Sequence, residues 1–457
     1  MHFKKRILSV LLMIACTAGL IYSGNGSVGE LIDFNRPGTL LDNKETIYFW
    51  YTDEQMTSFL NSAAVEFGQE KGVRVIPVLT SEGEYLEAIG RTSLEDGQTP
   101  DLYLIPNDSL EKAYLAGLAS ATTDGGTVCN TDYFPEASLA AVNYHGKNIA
   151  YPLYYETSVL LYNDTYLQDW IGQQQEKLVD IENGKEVTVG GEDVTSGDII
   201  AVMNSASLAT LEDILTVANT FDVPEEVDCI MKWDVSDIFY NYWFVGSYLN
   251  VGGLAGDDEE TISIHTKEAA ECLKAYQSLN QFFSIESDTI TYESVIDEFI
   301  QGKVMFTVAT SDIIARMEQA KEDGSFPYEY GITTMPRVSE ELGSAPLSMT
   351  GAVVVNGYTT HKQLANEFAI YLVTQCADDL YQKTGKISAN ALTEVDNGAV
   401  SIFHSSYANS ASLPKMMETG NFWIQLEVLF SKVWNGADVE EQLDELDSRI
   451  RAQISAE

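Results

Sequence analysis

A chain of 457 residues with 26 Lys and Arg against 69 Asp and Glu carries a formal net charge of −43. That excludes nucleic acid as a partner, because nothing would neutralise its phosphates. With 45% hydrophobic and 21% charged residues the chain can bury a full core, which excludes disorder and a coiled coil. At about 100–200 residues per domain its length calls for two or three domains, and two lobes are expected.

The chain opens on a targeting segment. MHFKKR is a basic n-region and Ile7 to Ala15 a short apolar stretch, the pattern of a bacterial secretory signal. Met13-Ile14-Ala15-Cys16 matches a lipobox, in which Cys16 is lipidated and becomes the new N-terminus. The alternative is an uncleaved anchor over Ile7 to Tyr22, shorter than the roughly 20 residues a spanning helix prefers. Both readings attach the protein to the membrane through its N-terminus and place the globular part at the cell surface, outside the cell. Residues 1–22 are therefore signal or anchor. Residues 23–43, with Gly24, Gly26, Gly29, Pro37 and Gly38, form a tether. The G-x-G-x-x-G within it, Gly24 to Gly29, follows no strand and does not read as a dinucleotide fingerprint. Cys129, Cys229, Cys272 and Cys376 have no C-x-x-C spacing, which excludes a zinc ribbon or thioredoxin motif and leaves disulfides open.

The folded part begins with a β-prone run, Thr46 to Tyr51. Met56, Phe59, Leu60, Ala63, Ala64 and Phe67 then fall on one helical face, with a capping box at Thr52 and Gln55 and a stop at Gly72. Val73 to Leu79 is a second strand, kept from a central position by Pro77. A helix around Gly83 to Ser93 leads to a third short strand at Asp101 to Ile105. This β-α-β order predicts a parallel, helix-covered sheet, with ligand beyond the carboxyl ends of its strands. Between Gln168 and Ser205 a polar insertion (171–204) carries a hairpin signature. In it Val179 and Ile181 alternate into Asn183-Gly184, and Val187 and Val189 alternate out. Helices are expected around Leu211–Phe221, Thr266–Phe283, Tyr292–Gln301 and Leu364–Thr374. A last helix has Asp438 and Glu441 as its capping box and Leu443, Leu446, Ile450 and Ile454 as its apolar face.

Several phrases in this order, TIYFWYTDE, GQTPDLYLI with LAGLAS, FPEASLAAVNYHGKNIAYPLYYETSVLLYN, FIQGKVMFTVATSD, YGITTMPRV and NFWIQLEVLFSKVWNGADVEEQLDEL, span nearly the whole mature chain. Together they resemble the extracellular solute-binding proteins of ABC importers, in the maltose-binding-protein-like group. The resemblance implies an α/β, two-lobed periplasmic-binding-protein-like fold, with helix-covered sheets joined by a hinge and ligand in the cleft between lobes. Matching the phrases puts lobe one at 44–155 plus 328–384 and lobe two at 156–327 plus 385–457. Closure on ligand would shift the open–closed equilibrium by the difference in affinity between the two states.

A saccharide needs flat apolar faces for its C–H surface and carboxylates, amides and hydroxyls for its OH groups. By resemblance the first strand end supplies Trp50, Asp53 and Glu54; the structural alternative makes Trp50 core and Glu54 a helix-start acid favoured by the dipole. Asp101 matches an acid at or near the ligand in relatives, with Tyr103 and Asn107 beyond it, or else caps a strand end. Glu156 falls where the first crossing enters lobe two. Tyr240 and Trp243, ahead of the Gly252-Gly253 turn, are stacking platforms or core, and Trp423 is a further aromatic contributor. Where the maltose binder carries a tryptophan after its GKxxM segment, this chain has Thr310-Ser311-Asp312, which implies a smaller or differently shaped saccharide.

No G-x-S-x-G, H-E-x-x-H or G-x-x-x-x-G-K occurs, and the five histidines are far apart, so the chain reads as a non-enzyme. Paired acids keep a glycoside hydrolase as the remote alternative. The acid run Asp257 to Glu260 lacks the ligand spacing of a calcium loop and reads as a solvated loop; no metal or cofactor is expected. The resulting expectation is a monomeric binding protein that delivers a small-molecule ligand, a saccharide, to ABC permease subunits. A polyamine or peptide ligand, or sensing without transport, is the alternative.

Overall fold

The computed structural model describes residues 44–94, 99–189, 191–393, 397–416 and 421–455. The signal segment, Cys16, the tether and its glycine motif lie outside the described residues. Among the described residues eleven strands make up two sheets: β1 (Thr46–Tyr51), β2 (Arg74–Leu79), β3 (Leu102–Pro106), β4 (Tyr151–Thr157), β5 (Val159–Asn163), β6 (Cys229–Met231), β7 (Val304–Ala309), β8 (Tyr330–Thr333), β9 (Leu347–Val355), β10 (Ile387–Ser388) and β11 (Ala411–Ser412). The larger sheet has the order β10-β4-β9-β3-β1-β2, with β11 paired to the start of β9. The smaller has the order β6-β7-β5-β8.

β1 alternates strictly, with Ile47, Phe49 and Tyr51 buried and their neighbours half-buried, and it pairs in parallel with both β2 and β3. That is the predicted β-α-β unit. Pro77 sits in β2 at the sheet edge, where its missing N–H breaks no ladder bond. The helix Thr57–Lys71 buries Phe59, Leu60, Ala63, Ala64 and Phe67 and ends at Gly72, whose φ of 72° is the left-handed stop that glycine adopts without strain. Its start differs from the prediction. Asp53, rather than Thr52, caps a short turn (Glu54–Met56) by accepting a bond from the Gln55 backbone N–H.

Apolar packing follows the sheets. Phe49, Phe59, Phe67, Tyr155, Phe368 and Leu372 pack into one core with the larger sheet, and Tyr85, Ile89, Tyr103, Ile105 and Val354 into another. Trp170, Trp233, Trp243, Tyr276, Phe306 and Trp434 form the core beside the smaller sheet. The helices Leu211–Thr220, Lys267–Phe283, Tyr292–Ile300, Lys362–Thr374 and Val439–Ile454 form where their apolar spacing predicts, and Asp438 accepts from the Glu441 N–H. No helix among the described residues is long and apolar enough to cross a membrane, and Cys129, Cys229, Cys272 and Cys376 are free thiols.

Two expectations are corrected. The 183–184 hairpin does not form, because the stripe Leu167, Trp170 and Gln174 and an Asn163 cap carry one helix through Asp164–Glu182; Asn183 and Gly184 end it. The strand pair is instead Thr188–Val189 with Glu192–Asp193. The acid run is mostly strand: Asp258–Ser263 pairs with Asn250–Gly252. Sheet membership does not follow chain order. Tyr330–Thr333 pairs with β5 in the smaller sheet, while β10 and β11, later in the chain, pair in the larger. Hydrogen-bond register joins strands hundreds of residues apart.

Candidate functional site

A cavity of about 690 Å³ opens where strands of the two sheets end. Gln55, just beyond β1, with Glu156 and Lys386, contributes one wall; Thr310, Ser311 and Asp312, just beyond β7, with Tyr292, Glu293 and Arg316, contribute the other. Carboxyl ends of strands are where open α/β sheets bind ligands, since loops there converge on a crevice.

Backbone register builds the first wall. β10 runs antiparallel to β4 with Ile387 opposite Tyr155, so Lys386 stands beside Glu156, and Tyr154 and Glu156 share a face at spacing two. The Lys386 ammonium donates to Glu156 Oε1 at 2.9 Å, lies 3.0 Å from Asp53 Oδ2, and sits 4.7 Å above the centre of the Tyr154 ring. That ring needs Gly351 on the neighbouring strand, because a Cβ there would stand 2.3 Å from it. Burial by itself would lower the Lys386 pKa, but Tyr154, Glu156 and Asp53 outweigh it and hold the pKa above the usual lysine value. Burial pushes the Tyr154 phenol up to about 12.

The second wall repeats the motif with arginine. Arg316 meets Glu293 at 2.8 Å, Asp297 at 3.5 Å and Asp312 at 3.6 Å, and its guanidinium lies 5.9 Å from the centre of the Tyr292 ring. The Tyr292 hydroxyl donates to Asp312 Oδ1 at 2.8 Å and accepts from Thr310. Burial, then the Asp312 charge, raises the Tyr292 phenol well above its ordinary value, so it stays a neutral donor. The walls therefore offer carboxylates, amide, hydroxyl and cationic donors, the complement of a polyhydroxyl solute. A second cavity, of about 320 Å³, has Glu136 as its one charged lining residue among the described residues and carries no ion pair.

Of the residues expected from sequence, the cavity lining contains Glu156, with Asp53 joined to it through Lys386. Glu54 is exposed in the turn after β1. Trp50 packs against the Tyr85 and Tyr103 cluster, with its Nε1 buried and unpaired among the described residues. Asp101 is buried: it accepts from the Tyr48 N–H and from the Thr359 hydroxyl, and His361 Nδ1 lies 3.0 Å away. Tyr103 is fully buried and donates to the Leu118 carbonyl. Trp243 is fully buried against Phe244, and Tyr240 lies behind Tyr292. Trp423 is half-buried beside Phe239 and donates to Glu427. Sequence reasoning missed Lys386, Arg316, Tyr292 and Gln55; two cations in a chain so poor in them were the available signal.

Comparison with known proteins gives a consistent picture. The family model described as bacterial extracellular solute-binding protein matches residues 62–394. A search of curated proteins found no match. Among solved structures, an extracellular solute-binding protein from Staphylococcus aureus in complex with maltose is similar at a TM-score of 0.69 and 20% identity, over 91% of this chain and 99% of that one. A maltose-binding periplasmic protein from Listeria monocytogenes in complex with maltose gives 0.67 and 17%, over 91% and 99%. A maltotriose binding protein from Thermus thermophilus bound with maltotriose gives 0.62 and 18%, over 89% and 99%. At these identities the likeness is one of fold, the two-lobed α/β architecture.

Proposed function

The chain belongs to the bacterial extracellular solute-binding protein family, and from that premise we propose that it captures a saccharide outside the cell and passes it unchanged to an ABC permease. The observation that carries this reading is the cavity of about 690 Å³ between strand ends, walled by ionised pairs, hydroxyls and an amide. Such groups exchange hydrogen bonds with sugar hydroxyls, and ionised partners make those bonds roughly twice as strong as neutral ones. The maltose and maltotriose held by the structural neighbours support the ligand class. Thr310-Ser311-Asp312 stands in the segment where the resemblance puts a tryptophan, and Tyr292 is the one aromatic residue of the lining among the described residues. A short saccharide, gripped by its hydroxyls, fits such walls better than a long stacked maltodextrin.

The two lobes of the proposed machine follow the sheets. Lobe one holds β1–β4 and β9–β11, lobe two holds β5–β8, and β4-β5 and the β8–β9 connection form crossings between them. In this reading Cys16 or the apolar segment around it fastens a monomer to the membrane, and no bond of the ligand is broken. Thermal unfolding against mono- and oligosaccharides, amino acids, peptides and polyamines tests it. A ligand at 100 times its dissociation constant adds about 2.7 kcal/mol, enough to raise the midpoint by several degrees. A saccharide shift with the sugar recovered intact supports capture; cleaved sugar, or a shift with peptides alone, overturns it.

A further inference from the structure

Among the described residues, both cations of the cleft lining, Lys386 and Arg316, are already enclosed. Lys386 is held by two carboxylates, Asp53 and Glu156, and by the face of Tyr154 at 4.7 Å. Arg316 is held by Glu293 and Asp312 and by the face of Tyr292 at 5.9 Å. Two carboxylates and an aromatic face are the groups that recognise a foreign ammonium, since ring quadrupole and carboxylate both attract it. Here the chain supplies that ammonium itself. We propose that Lys386 is a specificity-determining residue, a resident cation that fills an ammonium cage of Asp53, Glu156 and Tyr154 and so turns amine-bearing solutes away.

This rests on the cleft being the ligand site. The Lys386 side chain is 12% exposed and lines the open cavity, so an incoming amine has a path to the cage and meets an occupied one. Gly351 keeps the cage flat-walled by leaving room for the Tyr154 ring. Each cation is held by more than one acid, so an anionic solute finds no unpaired cation, and the place where an ammonium would meet Asp53, Glu156 and the Tyr154 face together is already taken by Lys386. Removing the lysine stem would leave two carboxylates and a tyrosine face around a vacancy the size of an alkylammonium.

The test is chemical replacement. Lys386→Ala is titrated with propylammonium and putrescine, against sodium chloride at equal ionic strength, by calorimetry and thermal unfolding. The variant is expected to bind putrescine at least about tenfold more tightly than wild type, the scale of one charge-assisted hydrogen bond. Its lowered unfolding midpoint should rise with propylammonium and not with sodium. Should the variant be unfolded in buffer, recovery of native circular dichroism with propylammonium alone supports the cage, and no recovery overturns it. A folded variant indifferent to amines, or a wild-type protein that binds putrescine as tightly as the variant does, also overturns it. Failure of the saccharide reading would show separately, in wild-type sugar titrations to which this amine response is blind.

Discussion

Tyr240 and Tyr292 lie face to face, ring centroids 4.8 Å apart and planes 10° from parallel. Tyr292 is the member that reaches the cleft, and Tyr240 fixes it from behind. Tyr292→Phe keeps the stack and removes the hydroxyl bonded to Asp312 and Thr310. Saccharide affinity should then fall by up to about tenfold with little change in stability, as measured by calorimetry and urea unfolding. Tyr240→Ala should instead destabilise by about 3–5 kcal/mol, the range for a buried aromatic.

The Tyr154 ring depends on the absence of a side chain at position 351. Gly351→Ala places a methyl 2.3 Å from that ring and forces it to move. Overpacking of this kind destabilises by about 1–3 kcal/mol. The displaced ring should also loosen Lys386 and weaken saccharide binding, whereas Gly398→Ala, with open space around it, should change neither.

Trp243 and Trp423 separate packing from recognition. Trp243 is fully buried against Phe244, so Trp243→Ala should lower unfolding free energy by about 3–5 kcal/mol and leave the affinity of the folded protein unaltered. Trp423 is half-buried and bonded to Glu427, so its removal should destabilise less. An affinity loss confined to Trp243→Ala would contradict this division.

Much of the scaffold was legible in the chain because periodicity and caps are local. The Phe59-to-Phe67 stripe closed by Gly72, the edge position of Pro77 and the Asp438 cap follow from neighbouring residues alone. The place of Glu156 in the cavity lining could be expected because its phrase, YPLYYETSVLLYN, resembles a known crossing. Lys386 was not: its partner Glu156 lies 230 residues away, and the two-residue strand that aligns them has no periodicity to detect. Asp101 illustrates the reverse. It looks like any strand-end acid until chain closure brings Thr359 and His361 onto it.

His265 ties the strand Asp258–Ser263 to the last helix: its Nε2 lies 2.8 Å from Glu440 and its Nδ1 2.5 Å from Asp444. Those carboxylates, Glu440 foremost, raise its pKa above the usual histidine value. A raised folded pKa means that the stabilisation is complete below the unfolded value of about 6.5 and is lost as pH rises through the folded value. Unfolding midpoints should therefore decline as pH rises above about 6.5, and His265→Gln should flatten that decline. A midpoint of the imidazole proton resonance at or below 6.5 would contradict the assignment.

The most direct measurement is calorimetric titration of wild type and Glu156→Gln with maltose, maltotriose and common monosaccharides, with the sugar analysed afterwards. Glu156 accepts from Lys386 and faces the cavity, so the expected result is saturable binding of an intact saccharide by wild type and at least about tenfold weaker binding by Glu156→Gln. Equal affinity for both proteins, or no heat with any saccharide, would contradict the cleft as a sugar site.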